Sequence, residues 1–118
     1  MKITKIKLSE KMNLTKKKCI PCEAETQPLE KSKVNKLLRQ IPSWTLKKNH
    51  LFKKFKFKNF ADAIKFVNYI ADIAESEGHH PDFSVHYNKV EIEIWTHAIN
   101  GLSENDFIVA AKIDKVKL

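Results

Sequence analysis

Four of the chain's five histidines, His79, His80, His86 and His97, fall within nineteen residues, with Glu75, Glu77 and Asp106 close by. Histidine gives and takes protons near neutrality because its unperturbed pKa is about 6.5, so such crowding invites a proton-transfer or a metal-site reading. Solvated imidazoles on a turn would be the simpler account of any one of them. The surroundings argue for more. Glu75 and Glu77 fall in the last turn of an expected helix, where the macrodipole disfavours a carboxylate by a few tenths to about 1 kcal/mol. Gly78 reads as the residue past the helix end, free to take positive φ. A helical Glu75 puts His79 one turn on, within reach of its carboxylate. Acids set against a local preference beside two histidines mark a candidate site. Pro81 disfavours the α region for His80 and directs the chain out in extended form.

The elements that must position these groups follow from periodicity. The apolar set Leu29, Val34, Leu37, Leu38 and Ile41 falls on one helical face, and Pro42-Ser43 stops that helix. Residues 44–48 and 51–58 read as a β-hairpin, with Phe55 and Phe57 facing one way and Lys54, Lys56 and Lys58 the other. Asn59 is an N-cap for the longest helix, with Phe60, Ala63, Ile64, Val67, Ile70, Ala71 and Ala74 as its expected core face. Phe83, Val85 and Tyr87 alternate with Ser84 and His86. After a two-residue turn at Asn88-Lys89 that sets Tyr87 opposite Val90, Val90, Ile92 and Ile94 alternate with Glu91, Glu93 and Trp95. Parity places His97 beyond this strand on the face opposite the core, with Glu91 and Glu93. Ser103 caps a last helix over 104–115, with Phe107, Ala110, Ala111 and Asp114 along one side, and Ser103-x-x-Asp106 resembles a capping box. The order α-β-β-α-β-β-α predicts an α+β fold: one four-stranded antiparallel sheet with helices packed on one face. Its open face and edge strands are available for self-association, so a homo-oligomer, dimer or tetramer, is expected.

Composition narrows the function classes. At 118 residues with 42% apolar and 31% charged residues, the chain is long enough for one core and one domain. The net charge of +8 is concentrated: residues 1–18 hold seven lysines and one acid, the other hundred fifteen basic and thirteen acidic residues. Residues 1–17 are therefore expected as a disordered or weakly ordered basic tail on a domain spanning 18–118. Arg39 is the only arginine, which argues against nucleic-acid recognition as the main role, although Lys53, Lys54, Lys56 and Lys58 could touch phosphate. Two glycines leave no P-loop or dinucleotide fingerprint. No run of about 18 apolar residues and no signal-peptide pattern occurs, so a cytoplasmic protein without a membrane partner is expected. Cys19-Ile20-Pro21-Cys22 has thioredoxin-like spacing but no strand pattern before it and no second pair to complete a zinc site, which leaves two reduced thiols in a lead-in.

Taken together, Glu75-x3-His79-His80-Pro81-x5-Tyr87-x9-His97-x8-Asp106 resembles the signature of the pterin-4a-carbinolamine dehydratases, from about residue 18 to the C-terminus. Tyr87-Asn88-Lys89-Val90 and the stretch from Thr96-His97 to Gly101-Leu102-Ser103 resemble the same family. The resemblance implies dehydration of 4a-hydroxytetrahydropterin to quinonoid dihydropterin, with no metal or organic cofactor. It implies His79 and His97 as acid/base groups supported by Glu75, and His80, Pro81, Phe83 and Asp106 on the substrate side. Asn105 and Phe83 depart from the family, some members having a basic residue and a tryptophan there, and residues 1–11 look like an extension. Two rival readings use the same residues: a non-catalytic interaction module such as a transcriptional dimerisation cofactor, and a metal hydrolase liganded by His79, His97 and Glu75.

Overall fold

The computed structural model describes residues 14–21 and 26–118. They run α1 (Lys31–Leu38), β1 (Thr45–Lys47), β2 (His50–Lys56), α2 (Phe60–Glu77), β3 (Asp82–His86), β4 (Lys89–Ile94), a 3-10 turn (His97–Ile99) and α3 (Glu104–Asp114). The α-β-β-α-β-β-α order is as expected, and the strands form one antiparallel sheet in the order β1-β2-β4-β3. Leu51, Val90, Ile92 and Ile94 are fully buried on the face covered by helices. Among the described residues no helix is long and apolar enough to cross a membrane.

The expected tail of 1–17 lies outside the described residues as far as 13. Leu14 is buried in the core cluster, and Lys17 pairs with Glu104 at 3.0 Å. The first helix ends at Leu38, short of the expected Ile41, and the chain continues through turns that bury Ile41 and Trp44. Trp44 stays out of β1 because its indole donates to both carboxylate oxygens of Asp114, at 3.0 and 3.1 Å.

Three expectations are corrected by packing. The core face of α2 is Ala63, Phe66, Ile70 and Ala74, whereas Phe60 and Ala71 are exposed. Asn59 starts the helix as expected, its side chain accepting from the Asp62 N–H at 2.8 Å, but the rotation is set by Phe66. Its ring lies 4.7 and 4.8 Å from those of Phe55 and Phe57, contacts worth about 0.5–1.5 kcal/mol each beyond area burial. In the second hairpin Val85, not Tyr87, pairs with Val90, so the turn is Tyr87-Asn88 and not Asn88-Lys89. Asn88 is held in the second turn position because Phe57 engages it twice, donating its N–H to the Asn88 carbonyl and accepting from Nδ2, both at 2.8 Å. Helix α3, expected to be apolar along one side, is buried almost all round from Asn105 to Ala111 and again at Ile113, the pattern of a helix enclosed by other elements. Asp114, expected on its packed side, is exposed and holds Trp44 and Lys53.

Candidate functional site

Where α2 ends, the chain leaves the helix through Gly78, which takes the left-handed conformation at φ 64 and donates its N–H to the Ala74 carbonyl. That reversal turns His79 inward, toward the start of α3. The ring is nearly covered, and its Nε2 lies 2.6 Å from Oδ1 of Asp106, a carboxylate with no exposed surface. The other oxygen of Asp106 accepts from the Ser103 N–H at 2.8 Å and the Thr96 hydroxyl at 2.9 Å, while Ser103 and Thr96 hydroxyls meet at 2.7 Å. Since the Thr96 proton is directed at Asp106, Ser103 donates to Thr96. Asp106 thus completes the capping box expected from Ser103-x-x-Asp106 and holds His79 with the same carboxylate. Facing a carboxylate acceptor, Nε2 carries the proton, and Nδ1 remains for exchange.

His80 points elsewhere. Its Nε2 lies 2.6 Å from Glu75 Oε2, so Glu75, expected against His79, is paired with His80. Gly78 is the reason: its left-handed turn sends His79 beneath α3 and returns His80 along the helix surface. Both members of the pair are well exposed, so it contributes little to stability.

His97 lies beyond β4, on a loop closed by the bridge between Thr96 and Gly101 and turned by Asn100 at φ 48. A Cβ on Gly101 would come within 2.9 Å of Pro28, so only glycine fits there. The His97 ring packs on Trp95 at 4.2 Å, and Trp95 stacks on His50 at 3.9 Å with an interplanar angle of 4°. Glu93 in turn accepts from His50 Nδ1 at 2.5 Å. A file of rings on the open sheet face therefore backs His97.

The three imidazoles of His79, His80 and His97 border one cleft of about 490 Å³, completed by Cys19, Ile20, Pro21, Glu77, Trp95, Thr96 and Asn105 among others. This volume lies within the roughly 300–1,000 Å³ of small-molecule sites. Asp106 sits behind His79 and Glu75 at the rim beside His80. Pro81 follows His80 without lining the cleft, and Phe83 lies on edge strand β3, where it borders a separate groove with Phe52 and Glu93. Among the described residues no three His, Cys, Asp or Glu side chains are gathered as a metal site.

Sequence reasoning missed the wall formed by Cys19 to Pro21 and the carboxylate that holds it. Glu77 lies on the buried stripe of α2, one turn past Ile73 and Ala74. It accepts from Lys112 Nζ at 2.5 Å and from the Cys19 N–H at 2.8 Å. Burial pushes its pKa up, but the Lys112 and Cys19 hydrogen bonds outweigh this and hold it below the ordinary 4.5. A carboxylate with a depressed folded pKa stabilises above its unfolded value, and that stability is lost as pH falls through the folded one. Wild-type stability should therefore decline more steeply below about pH 4.5 than that of Glu77→Gln. Parallel acid limbs in urea titrations of the two proteins would contradict this. Burial also pushes the Cys19 thiol from 9.0 up to about 12, with Glu77 adding to the shift, so the thiol is protonated and inert at neutral pH. Cys22, expected as a second reduced thiol, lies outside the described residues.

Comparison with known proteins identifies the family. Residues 27–116 match the profile of the family described as pterin 4 alpha carbinolamine dehydratase. A proposed pterin-4-alpha-carbinolamine dehydratase of Rickettsia canadensis is 52% identical over 103 residues, covering 86% of this chain and 94% of that protein. One from Halorhodospira halophila is 45% identical over 105 residues, covering 87% and 96%. The crystal structure of a Brucella melitensis protein described as a transcriptional coactivator/pterin dehydratase superposes with a TM-score of 0.71 at 33% identity, covering 75% of this chain and 96% of that one. The profile match over residues 27–116, with relatives 45% and 52% identical over more than four fifths of the chain, places it in the pterin 4 alpha carbinolamine dehydratase family.

Proposed function

We propose that the protein removes water from 4a-hydroxytetrahydropterin to give quinonoid dihydropterin, recycling the cofactor of aromatic amino acid hydroxylases. The observation that supports this most is His79, which borders the cleft it shares with His80 and His97 while its Nε2 is held by the buried Asp106. In the reaction the C4a–O bond breaks and the departing oxygen takes up a proton. N5 loses its proton, and the freed electron pair forms the N5=C4a bond. One proton is delivered and one removed, so an acid and a base suffice. His79 and His97 come from different elements and supply these two transfers. Asp106 fixes the orientation of the His79 ring, His80 binds the pterin ring with Glu75 behind it, and the apolar walls exclude water. The test is a spectrophotometric assay with a synthetic 4a-hydroxypterin, corrected for spontaneous dehydration. Wild-type protein should accelerate the loss of substrate, and a rate equal to the blank would overturn the reading.

The interaction-module reading draws on the edge of the sheet. β3 has a neighbour on one side only, and Phe83 and Tyr87 on it and its turn are 43% and 68% exposed. Such an edge must be covered, charged or used. A homo-oligomer pairing there is the proposed assembly; light scattering should return a dimer or tetramer, and a monomer would remove it.

A further inference from the structure

Ahead of residues 27–116, which match the family profile, the segment Lys17–Pro21 crosses from α3 to the end of α2 along the histidine cleft. Its attachments are specific. Lys17 pairs with Glu104 at 3.0 Å, the Cys19 N–H donates to Glu77, and the Cys19 thiol lies 3.6 Å from the Asn105 carbonyl. The Asn105 side chain then pairs with the backbone of Ile20 at both ends: Oδ1 accepts the Ile20 N–H at 3.0 Å, and Nδ2 donates to the Ile20 carbonyl at 2.5 Å. This is the two-bond pattern of a strand pair, made by a side chain. A primary amide presents an acceptor and a donor side by side on one planar group; a guanidinium, with five donors and no acceptor, would leave the Ile20 N–H unmatched. Asn105 is itself buried, so its amide has no water to fall back on. The result is that Ile20, 71% exposed although apolar, stands with Pro21 on the border of the cleft that holds His79, His80 and His97.

We infer that Ile20 and Pro21 are substrate-contacting residues of the pterin site and that Asn105 is the positioning residue that holds them there. An apolar side chain kept in water by two hydrogen bonds and a buried carboxylate is poised to be covered by a flat heterocycle. The segment adds a wall that residues 27–116 do not supply, and it contributes binding and water exclusion, not proton transfer. The inference rests on the dehydratase reading for the identity of the ring.

The experiment compares wild type, Ile20→Ala, Asn105→Ala and Asn105→Asp, all in a Cys22→Ser background, by three readouts. In steady-state dehydration, Ile20→Ala and Asn105→Ala should raise KM about tenfold while lowering kcat much less, the signature of lost uniform binding. Asn105→Asp, which keeps the acceptor and loses the donor, should fall between. In iodoacetamide labelling, Asn105→Ala should expose Cys19 and speed its alkylation about tenfold or more, as a solvated thiol ionises more readily. In titration with a stable dihydropterin, the Kd of both alanine variants should rise with KM. Unchanged alkylation in Asn105→Ala overturns the anchor, and faster alkylation with unchanged KM and Kd overturns the wall. A wild type that binds the dihydropterin through this segment but does not dehydrate removes the dehydratase reading and keeps the inference; one that binds no pterin removes both.

Discussion

Asp106→Asn should lower kcat/KM by about 10²–10⁴ and stability by about 1–3 kcal/mol, although it changes one heavy atom. The two effects have separate origins. An amide has one acceptor oxygen, and two donors, the Ser103 N–H and the Thr96 hydroxyl, converge on the Oδ2 position. With its oxygen there, the amide turns its NH2 group toward His79 Nε2, which the carboxylate met at 2.6 Å. The ring must then accept at Nε2 and carry its proton on Nδ1, which reverses the polarity it offers the cleft. Ser103→Ala is the control: it removes the cap hydroxyl, costs about 1 kcal/mol, and should lower the rate far less. Equal rate losses in the two variants would mean that Asp106 serves only to start α3.

The second large effect belongs to the histidines. His79→Ala and His97→Ala should each cost about 10²–10⁴-fold in kcat. If they act as one unit, the double variant should lose less than the product of the single losses. His80→Ala should act mainly on KM, since its ring is exposed and braced by an exposed Glu75. His86 serves as the internal control: it lies on β3, bonded to Ser84 at 3.0 Å and away from the cleft, and its alanine variant should match wild type. Circular dichroism would confirm folding throughout. Rates like wild type in both His79→Ala and His97→Ala would sink the assigned chemistry.

What the sequence makes legible here is what local chemistry decides. Asn59 and Gly78 mark the ends of α2 because caps are recognised within four residues. Ser103 and Asp106 announce their box at a spacing of three. The element order follows from hydrophobic period, and the histidine cluster from its density. The missed features depend on partners distant in the chain. The rotation of α2 was decided by Phe55 on β2 and Phe57 just past its end, both ahead of the helix. The hairpin register was decided by Phe57 holding Asn88, 31 residues away. Glu77 looked like a charge at the wrong end of a helix because Lys112 and Cys19, 35 and 58 residues away, are what it serves. Asn105 looked like a lost basic contact, and its pairing with Ile20 spans 85 residues.

The chain has only two glycines, yet its tight turns still require left-handed backbone. Lys48, Asn49, Tyr87 and Asn100 supply it, at φ between 48 and 63. Asparagine tolerates that region, whereas a lysine or tyrosine there is held in strain of about 1 kcal/mol or more. The compensation lies in the denatured ensemble. A chain so poor in glycine samples fewer backbone states when unfolded, so each residue gives up less entropy on folding than glycine would. The protein thus carries its turn strain as native-state enthalpy and recovers part of it from a stiffer unfolded chain.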